Sequence, residues 1–444
     1  MRILIIGAVA AGTSAATEIR RRNRHAEIVI YEKDNSISYA SCGMPYFISN
    51  EFTDFEALVP RDSDFFKQKH RIDVLVAHEV LTITPEKNSI LVKNIETEET
   101  FEDTYDYLII ATGAVSEKPP IQGNDNKNIF LFRNMEHLNK IKSFIDNEKP
   151  QTAAIIGTGL VGLEMCESFR KLGIKTTLIA RSSIAKSLEN DMTILIEEHL
   201  KEHGVLVLKN TATQEITDQG VVLGDGSLIQ ADMVLLATGI RPNVQLAQAA
   251  GIELGSTGAI MVDSKMKTNI DNIYACGDCI EHFHMVTGKP VYRALGSTAN
   301  KTGVIAGNSI TNGQETFKGV LGTGIFRVFD LTVAQTGLSE KEAIDNGYDV
   351  VVALDKKPNK PEYMGGKDMV IKTVAEKSSG RLLGAQIIGY EGVDKRIDVI
   401  VTAISLKAKA EDLIHFDLAY APPFSTPRDP LYYTGIKLMN EIMK

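Results

Sequence analysis

One cysteine of this chain has neighbours that suit sulfur chemistry. Cys42 lies in the stretch SYASCGMPYFIS, among small residues and directly before a predicted helix over 44–49. A thiolate at the N-terminal end of a helix is stabilised by the helix dipole and by free N–H groups, which populates the reactive form. The same stretch also fits a buried cysteine that acts only as a small apolar side chain. A disulfide and a metal site are further alternatives, and the rest of the chain has to decide among them.

The remaining cysteines do not complete a metal site or a disulfide framework. Cys276 and Cys279 form a C-x-x-C pair near His282 and His284, but a zinc site would need further ligands and no second C-x-x-C is present. Cys166 falls within a helical pattern and is predicted to pack in the core. Four cysteines in 444 residues are too few for a disulfide framework and favour a reducing compartment. We therefore predict no metal ion and a cytoplasmic protein.

Composition argues against two classes of partner. The residues are 43% hydrophobic and 24% charged, as in an ordinary globular protein, and the length of 444 residues predicts about two to four domains. The formal net charge is −9 and no long basic run occurs, whereas nucleic-acid binding needs a basic face. No apolar stretch reaches the roughly 18 residues of a membrane span. Neither nucleic acid nor a membrane is therefore an expected partner.

The elements that must position Cys42 begin with a glycine turn. A short apolar strand over 2–6 runs into GAVAAG, and a helical pattern and a second strand over 27–31 follow. Such a unit, closed by an acidic residue, binds dinucleotides: glycines admit the pyrophosphate, the helix N-terminus faces its charge, and the carboxylate accepts from ribose hydroxyls. The middle glycine of the usual G-x-G-x-x-G is replaced here. The residues assigned to this first nucleotide are Gly7, Ala8, Ala11, Gly12 and Glu32.

The same unit occurs a second time. A strand over 152–156 leads into GTGLVG, a full G-x-G-x-x-G, and then into a helix to residue 172 and a strand over 176–179. Each unit also closes with a similar apolar strand, YDYLIIATG ending at Gly113 and ADMVLLATG ending at Gly239. This ordered repeat predicts two dinucleotide sites. The second site comprises Gly157, Gly159, Leu160, Val161 and Gly162.

The end of the second unit indicates which nucleotide it binds. Arg181 and Ser182 stand where the first unit has Glu32. A carboxylate at this position favours NAD(H), whereas an arginine accommodates the additional 2′-phosphate of NADP(H). We therefore predict NADPH, with NADH as an alternative donor. The alternative for Arg181 is a solvated side chain at the end of a strand.

Together with the phrase YACGDC, these motifs resemble the pyridine nucleotide–disulfide oxidoreductase superfamily over the whole chain. The resemblance implies an α/β fold with two nested Rossmann-like dinucleotide-binding domains, for FAD and NAD(P)H, and a C-terminal α+β dimerisation domain. The expected limits are 1–118 and 243–317 for the two parts of the FAD-binding domain, 119–242 for the NAD(P)H-binding domain and 318–444 for the dimerisation domain. A homodimer is implied as well.

The cysteine pattern narrows the resemblance to a subgroup. Members with two redox cysteines have C-x4-C, but Phe47 occupies the second position here. The single cysteine is similar to that of coenzyme A disulfide reductases, NADH oxidases, NADH peroxidases and persulfide-reducing relatives. The oxidases and peroxidases keep a histidine in the first glycine turn, where this chain has Ala10. The resemblance therefore favours reduction of a small disulfide, most of all coenzyme A disulfide; a persulfide, hypothiocyanous acid and oxygen remain alternatives.

The resemblance also implies roles for individual side chains. Cys42 is the redox nucleophile, and Tyr420 and Tyr363 complete the catalytic site from the partner subunit, with Tyr420 as the proton donor. The alternative for Tyr420 is a packed interface tyrosine. Glu164 positions the nicotinamide. The further cofactor-binding residues are Lys33, Val80, Ala111, Thr112, Gly113, Gly239, Gly277 and Asp278.

Substrate binding is assigned to a separate set of side chains. The residues expected to contact substrate are Arg20, Arg22, Ser38, Ser41 and Asn300. The two arginines would hold the phosphates of coenzyme A. Their alternative role is that of a basic helix end, which interacts favourably with the C-terminal end of its own helix dipole.

Overall fold

The structure, a computed structural model, describes all 444 residues of the chain. Its first segment alternates buried strands with short helices. The elements are β1 (Arg2–Ile6), α1 (Ala10–Arg22), β2 (Glu27–Tyr31), α2 (Met44–Ile48), α3 (Ser63–Phe65), β3 (Asp73–Leu75), β4 (His78–Thr84), β5 (Ser89–Asn94), β6 (Thr100–Thr104), β7 (Tyr107–Ile110) and β8 (Ala114–Ser116).

The second segment repeats this arrangement. Its elements are β9 (Ile129–Phe130), α4 (Met135–Glu148), β10 (Thr152–Ile156), α5 (Leu160–Lys171), β11 (Lys175–Ile179), α6 (Asn190–Glu202), β12 (Leu206–Leu208), β13 (Thr213–Thr217), β14 (Gly220–Leu223), β15 (Leu228–Gln230), β16 (Met233–Leu236) and β17 (Ile240–Pro242).

The chain then returns to the first unit before it builds a separate C-terminal layer. The returning elements are α7 (Gln245–Ala249), β18 (Ile273–Ala275), β19 (His282–Phe283), β20 (Pro290–Val291) and α8 (Gly296–Ile310). The C-terminal elements are β21 (Gly324–Val328), β22 (Leu331–Gly337), α9 (Glu340–Asp345), β23 (Val350–Pro358), β24 (Asp368–Glu376), β25 (Leu382–Gly389), α10 (Val393–Ser405) and α11 (Pro430–Ile442).

Two parallel sheets form the nucleotide-binding units, and one is inserted into the other. The first sheet has the order β18-β7-β1-β2-β3, so that a strand from beyond residue 270 lies beside strands from the first 110 residues. The second has the order β12-β11-β10-β16-β9 and lies wholly within the intervening segment. An antiparallel ribbon of β8 and β17 carries the chain into and out of the inserted unit. The apolar residues of β1 and β10 are buried on both faces, as parallel strands covered by helices require.

The C-terminal layer is an antiparallel sheet with helices against it. Its order is β21-β22-β25-β24-β23; α10 packs on β22 and β25, and α11 packs on β23. This arrangement and the nested sheets confirm the predicted fold class. The predicted domain limits at 118, 242 and 317 are compatible with the sheets but stay predictions. No helix combines the length and the apolar character that crossing a membrane would require.

A single apolar core joins the three units around the Cys42 segment. Met44, Ile48 and Leu58 pack in the same cluster as Leu163 of α5 and Phe326 of β21. The segment that follows Cys42 therefore rests on the inserted unit and the C-terminal layer rather than on its own sheet. Burial of large side chains of this type contributes about 1.5–3 kcal/mol each, so the segment that follows Cys42 is held by substantial packing energy.

Candidate active site

The first glycine turn has the shape that a nucleotide pyrophosphate needs. Gly7 follows β1 with a φ of +109°, and a Cβ atom there would overlap the carbonyl oxygen of Ala111. A Cβ atom on Gly12 would overlap the carbonyl oxygen of Gly7. Both positions therefore require glycine, because a turn this close leaves no room for a side chain. Val9 takes the middle position directly before α1.

Glu32 ties the end of β2 to this turn. Its Oε2 accepts a hydrogen bond from the backbone N–H of Ala8 at 2.8 Å, and its Oε1 accepts one from Asp34 at 3.1 Å. Burial raises the pKa of the Glu32 carboxyl, and these two N–H donors act against that rise. The carboxylate therefore lies beside the turn, where the predicted unit places a ribose.

Asp278 lies next to the same turn, although it is some 270 residues away in the chain. Gly277 has a φ of +83°, and a Cβ atom there would lie 2.8 Å from the Cβ of Ala11. The Asp278 carboxylate pairs with the Arg133 guanidinium at 2.6 Å, and the Tyr292 hydroxyl donates to the Asp278 carbonyl at 2.8 Å. Sequence reasoning missed Arg133 and Tyr292, since neither belongs to a motif. The glycine cradle, the buried carboxylate and this polar cluster fit FAD.

The other residues predicted for the first nucleotide lie around this cradle. Thr112 donates from its hydroxyl to the Asn243 carbonyl at 2.7 Å, and Gly113 accepts from the Asn243 N–H at 2.9 Å. Val80 is partly buried against the core of the first sheet. Lys33 is exposed and makes no hydrogen bond. Contacts within the chain therefore hold Thr112, Gly113 and Val80 in place, whereas the Lys33 side chain lies in solvent.

The second glycine turn repeats the geometry of the first and adds an opening. Cβ atoms on Gly157 and Gly162 would overlap carbonyl oxygens, of Ala237 and Gly157 respectively, whereas a Cβ on Gly159 would meet nothing within 4 Å. Leu160 follows Gly159 at the start of α5 and is 41% exposed. The open side of the turn therefore faces free space, as the approach of a pyrophosphate requires.

The residues after β11 remain available to a ligand. Arg181 is exposed, and its guanidinium makes no hydrogen bond or ion pair within the chain. Ser182 is half-buried beside it and accepts a hydrogen bond from Asn210 at 3.3 Å through its carbonyl. Gly239 has a φ of +126° at the end of the closing strand, and its carbonyl accepts from Glu117 at 2.9 Å. The second site therefore fits a nicotinamide dinucleotide, and the Arg181 guanidinium, which has no partner in the protein, is available to a phosphate of that ligand.

Cys42 is the only exposed cysteine. It lies in a single 3₁₀ turn, Ser41–Gly43, closed by a hydrogen bond of 2.9 Å from Gly43 N–H to the Ala40 carbonyl. The helix α2 follows as predicted, ending at Ile48 rather than at residue 49. The Ser168 hydroxyl of α5 donates to the Pro45 carbonyl at 2.8 Å and holds this helix against the inserted unit. The interpretation of Cys42 as a buried packing residue is therefore wrong.

The other three cysteines are buried, and no disulfide is formed. Burial raises the pKa of the Cys166 and Cys276 thiols far above their usual range and that of Cys279 to about 11. Phe47, at the position of a second redox cysteine, packs its ring against Phe52 at 5.7 Å between centroids. Cys42 therefore has no sulfur partner within the chain.

A half-buried acid, Glu164, lies on the helix that supports the Cys42 segment. Burial and the charge of Glu167 raise the pKa of Glu164 to about 7, although a hydrogen bond with Tyr46 and the nearby Arg327 oppose this. The Arg327 guanidinium lies 5.2 Å from the centre of the Tyr46 ring and pairs with Glu167 at 3.0 Å. Glu164 can therefore gain or lose a proton near neutral pH.

The predicted substrate residues fall into separate groups. Asn300 of α8 accepts from the Ser14 hydroxyl of α1 at 2.7 Å, and Arg22 of α1 donates to the Thr311 hydroxyl at 2.9 Å. Both side chains therefore lie along one pair of packed helices and are exposed. Ser38 has a φ of +48° and donates its N–H to the Ala8 carbonyl at 2.8 Å, and Ser41 begins the turn of Cys42.

Arg20 does not join this group. Its guanidinium donates to the carbonyl oxygens of His70, Arg71 and Arg24 at 2.7–2.8 Å. These bonds fill most of its donors and hold the end of α1 to the loop before β3. The structure therefore favours the alternative of a helix-end residue over a phosphate ligand.

The two predicted catalytic tyrosines are on the surface of the C-terminal layer. Tyr420 is 49% exposed and Tyr363 is 75% exposed. Neither hydroxyl makes a hydrogen bond within the chain. Large apolar side chains next to them, Met364 and Phe424, are exposed as well. This surface is therefore available to another molecule.

Comparison with known families agrees with this architecture. Residues 1–303 match the family model described as pyridine nucleotide-disulphide oxidoreductase, and residues 325–429 match the dimerisation domain of the same family. The chain belongs to the pyridine nucleotide-disulphide oxidoreductases, which use FAD and NAD(P)H.

Three relatives illustrate the range within the family. The chain is 37% identical to the NAD(P)H sulfur oxidoreductase (CoA-dependent) of Pyrococcus furiosus, over 97% of each chain. It is 33% identical to the coenzyme A disulfide reductase of Staphylococcus epidermidis, over 98% of this chain and 99% of that one. The structure of reduced Bacillus anthracis CoADR-RHD superposes with a TM-score of 0.98 at 36% identity, covering all of this chain and 80% of the other.

Proposed function

We propose that this protein is an FAD-dependent NADPH reductase of a small disulfide, most of all coenzyme A disulfide, and that Cys42 is its redox centre. The observation that carries the proposal is the exposure of Cys42 in a chain without a second cysteine to pair with it. A lone accessible thiol with no partner in the chain can exchange with a disulfide from outside. Both the Pyrococcus furiosus and the Staphylococcus epidermidis relatives have names that refer to coenzyme A.

The chemistry assigned to Cys42 is thiol–disulfide exchange. Its thiolate attacks one sulfur of the substrate, the substrate S–S bond breaks, and the first thiol leaves after it takes a proton. A mixed disulfide between Cys42 and the second half of the substrate remains. Two electrons and one proton then release the second thiol and restore the Cys42 thiolate. The first glycine turn with Glu32 and Asp278 would hold FAD, which would supply these two electrons, and the second turn with Arg181 would hold NADPH as the hydride source.

Three residues would support these steps. Glu164, on the helix that holds α2, would position the nicotinamide, and its raised pKa allows it to hold a proton near pH 7. Tyr420 of the partner subunit would donate the proton to the leaving thiol. Tyr363 of the partner subunit would contribute to the same site.

Arg22 and Asn300, on the exposed pair of helices, would contact the polar end of the substrate. Arg22 is the basic member of this pair and would bind phosphate groups. Ser38 and Ser41 would line the approach to Cys42. We further propose that the protein works in the cytoplasm, since its four free thiols suit a reducing environment.

The proposal is tested by comparing oxidants at equal concentration. NADPH oxidation by the FAD-loaded protein should be fastest with coenzyme A disulfide and slower with a coenzyme A persulfide or with oxygen alone. Intact-mass measurement of protein prepared without reductant should show one coenzyme A on Cys42. Oxygen consumption without added disulfide, at a rate that matches the disulfide reaction, would instead identify a water-forming oxidase.

A shared active site predicts complementation between two inactive subunits. Cys42→Ser and Tyr420→Phe chains, unfolded and reassembled together, should form about half mixed dimers, and one fully native site in each should restore about a quarter of wild-type activity. The measurement is NADPH-dependent reduction of coenzyme A disulfide after reassembly. A matched control pairs Cys42→Ser with the Cys42→Ser/Tyr420→Phe double variant and should recover nothing. Full activity in a strictly monomeric form would show that Tyr420 does not complete the partner's site.

A further inference from the structure

We propose that His199, His203 and Asp330 bind a divalent transition-metal cation at a site separate from Cys42 and from both nucleotide sites. Each of the three side chains offers one ligand atom, and these atoms all lie within 4.8 Å of one another. Two imidazoles and a carboxylate are a ligand set typical of zinc and neighbouring first-row metals. The site goes beyond the proposed function and departs from the sequence-based prediction that the chain binds no metal.

The three ligands come from two different units of the fold. His199 lies in the last turn of α6, and His203 follows directly after that helix, four residues later. Residues spaced by four lie on the same face of a helix. Asp330 lies in the turn between β21 and β22, so the C-terminal layer brings the third ligand to the pair.

His199 carries the main argument. Its side chain is only 6% exposed, and its Nε2 atom is buried without a hydrogen-bond partner. That nitrogen lies 3.0 Å from Oδ1 of Asp330, close enough for an imidazolium–carboxylate ion pair. Buried polar atoms are normally paired, so an unpaired one needs a reason. When the His199 imidazole carries its proton on Nδ1, Nε2 and the carboxylate oxygen are both acceptors, and a cation can bind the two together with His203.

Neighbouring groups set the orientation of the His203 ring. His203 Nδ1 lies 2.9 Å from the His199 carbonyl oxygen, which makes Nδ1 the donor and leaves Nε2 with a free lone pair. Metal-binding histidines typically donate from their other ring nitrogen to such a carbonyl. His199 Nδ1 lies 3.7 Å from a carboxylate oxygen of Glu202, which is beyond hydrogen-bond distance. The His203 ring also stacks on Phe329 at 3.9 Å, which fixes its plane.

The remaining charged neighbour does not block the site. Lys367 Nζ lies 3.7 Å from Oδ2 of Asp330 and 3.9 Å from the centre of the Tyr390 ring. The ammonium group therefore faces one carboxylate oxygen, and the other oxygen faces His199. The carboxylate can thus serve the lysine and a metal ion at the same time.

A bound cation would link α6 to the turn between β21 and β22. That turn already contacts α5, the helix on which the Cys42 segment packs. The Phe329 N–H donates to Glu167 of α5 at 2.8 Å, and Arg327 pairs with the same carboxylate. A ligand that binds only the folded protein raises its stability by mass action. Metal binding should therefore stabilise the contact between the inserted unit and the C-terminal layer.

The test is zinc titration of the FAD-loaded protein by calorimetry, with thermal unfolding as a second readout. All arms carry Cys42→Ser, because an accessible thiolate would itself bind zinc. One saturable site per chain and a higher Tm with zinc are expected. His203→Gln and Asp330→Asn should each weaken zinc binding by more than the roughly ten- to hundredfold that the loss of a hydrogen-bonded outer-shell partner costs.

Two choices keep the test decisive. His199 is buried and its replacement endangers folding, so the more exposed ligands His203 and Asp330 are the ones substituted. His415→Gln, at an exposed single histidine of the C-terminal layer, is the matched control and should leave zinc affinity unchanged. The proposal is overturned if no saturable binding occurs, if the ligand variants bind zinc as tightly as their parent, or if His415→Gln weakens binding equally.

Discussion

Replacement of Cys42 by serine is expected to abolish disulfide reduction while FAD binding and hydride transfer from NADPH remain. Reduction of coenzyme A disulfide should fall by at least about a thousandfold, because the loss of a covalent nucleophile typically costs this much or more. A serine hydroxyl has no accessible anion near pH 7 and cannot form the mixed disulfide. The fold should survive, since Cys42 is exposed and the change is nearly isosteric.

Stopped-flow spectroscopy separates the two half-reactions of this variant. The flavin of Cys42→Ser should be reduced by NADPH at the wild-type rate, and added coenzyme A disulfide should not reoxidise it. Cys166→Ser is the matched control: this buried thiol should cost about 1–3 kcal/mol of stability when it becomes a hydroxyl, but the folded variant should keep both half-reactions. Reoxidation of the Cys42→Ser flavin by disulfide at the wild-type rate would show that Cys42 is not the redox centre.

Arg181→Glu is expected to lower kcat/KM for NADPH by about ten- to a hundredfold, because charge-assisted hydrogen bonds contribute about 1.5–3 kcal/mol. The guanidinium is exposed and has no partner in the chain, so its loss should not disturb the fold. The new carboxylate stands where carboxylates accept from the ribose of NADH, so kcat/KM for NADH should hold or rise. Steady-state kinetics with both cofactors measures the ratio.

The control for this change is Arg24→Glu, a charge reversal of the same size at an exposed arginine after α1. It should leave the ratio of NADPH to NADH efficiency unchanged, which separates a local contact from an effect of net charge. Equal efficiency of the wild-type protein with both cofactors would contradict the role of Arg181. An equal loss of kcat/KM for NADPH in Arg181→Glu and Arg24→Glu would contradict it as well.

The two nucleotide-binding units and the position of Cys42 before a short helix could be predicted from the sequence alone. The strands β1, β2 and β10 have the predicted bounds, and β11 begins one residue earlier than predicted. These elements could be predicted because each depends on local information: an apolar run, a glycine turn and a helical period lie within about 30 residues. The absence of a second cysteine near Cys42 is likewise visible in the sequence.

The surroundings of these elements depend on contacts between distant parts of the chain. Arg133 pairs with Asp278 across 145 residues of sequence, and no motif marks either Arg133 or the donor Tyr292. The raised pKa of Glu164 arises from burial, which the sequence does not state. The ion pair and the burial of Glu164 both depend on which surfaces of separate units meet. Hydrophobic packing between units is non-directional, so local sequence does not specify those contacts.

The packing of the Cys42 segment and the site at His199 and His203 also depend on contacts between units that local sequence does not specify. The sequence places Cys42 before a helix, but the packing of that helix on α5 and β21 depends on a core shared by three units. His199 and His203 have metal-binding spacing on their own, yet the third ligand, Asp330, lies 127 residues beyond His203 in a different layer. A site whose members are this far apart is specified by the fold, because only chain folding brings the ligand atoms within a few ångströms of one another.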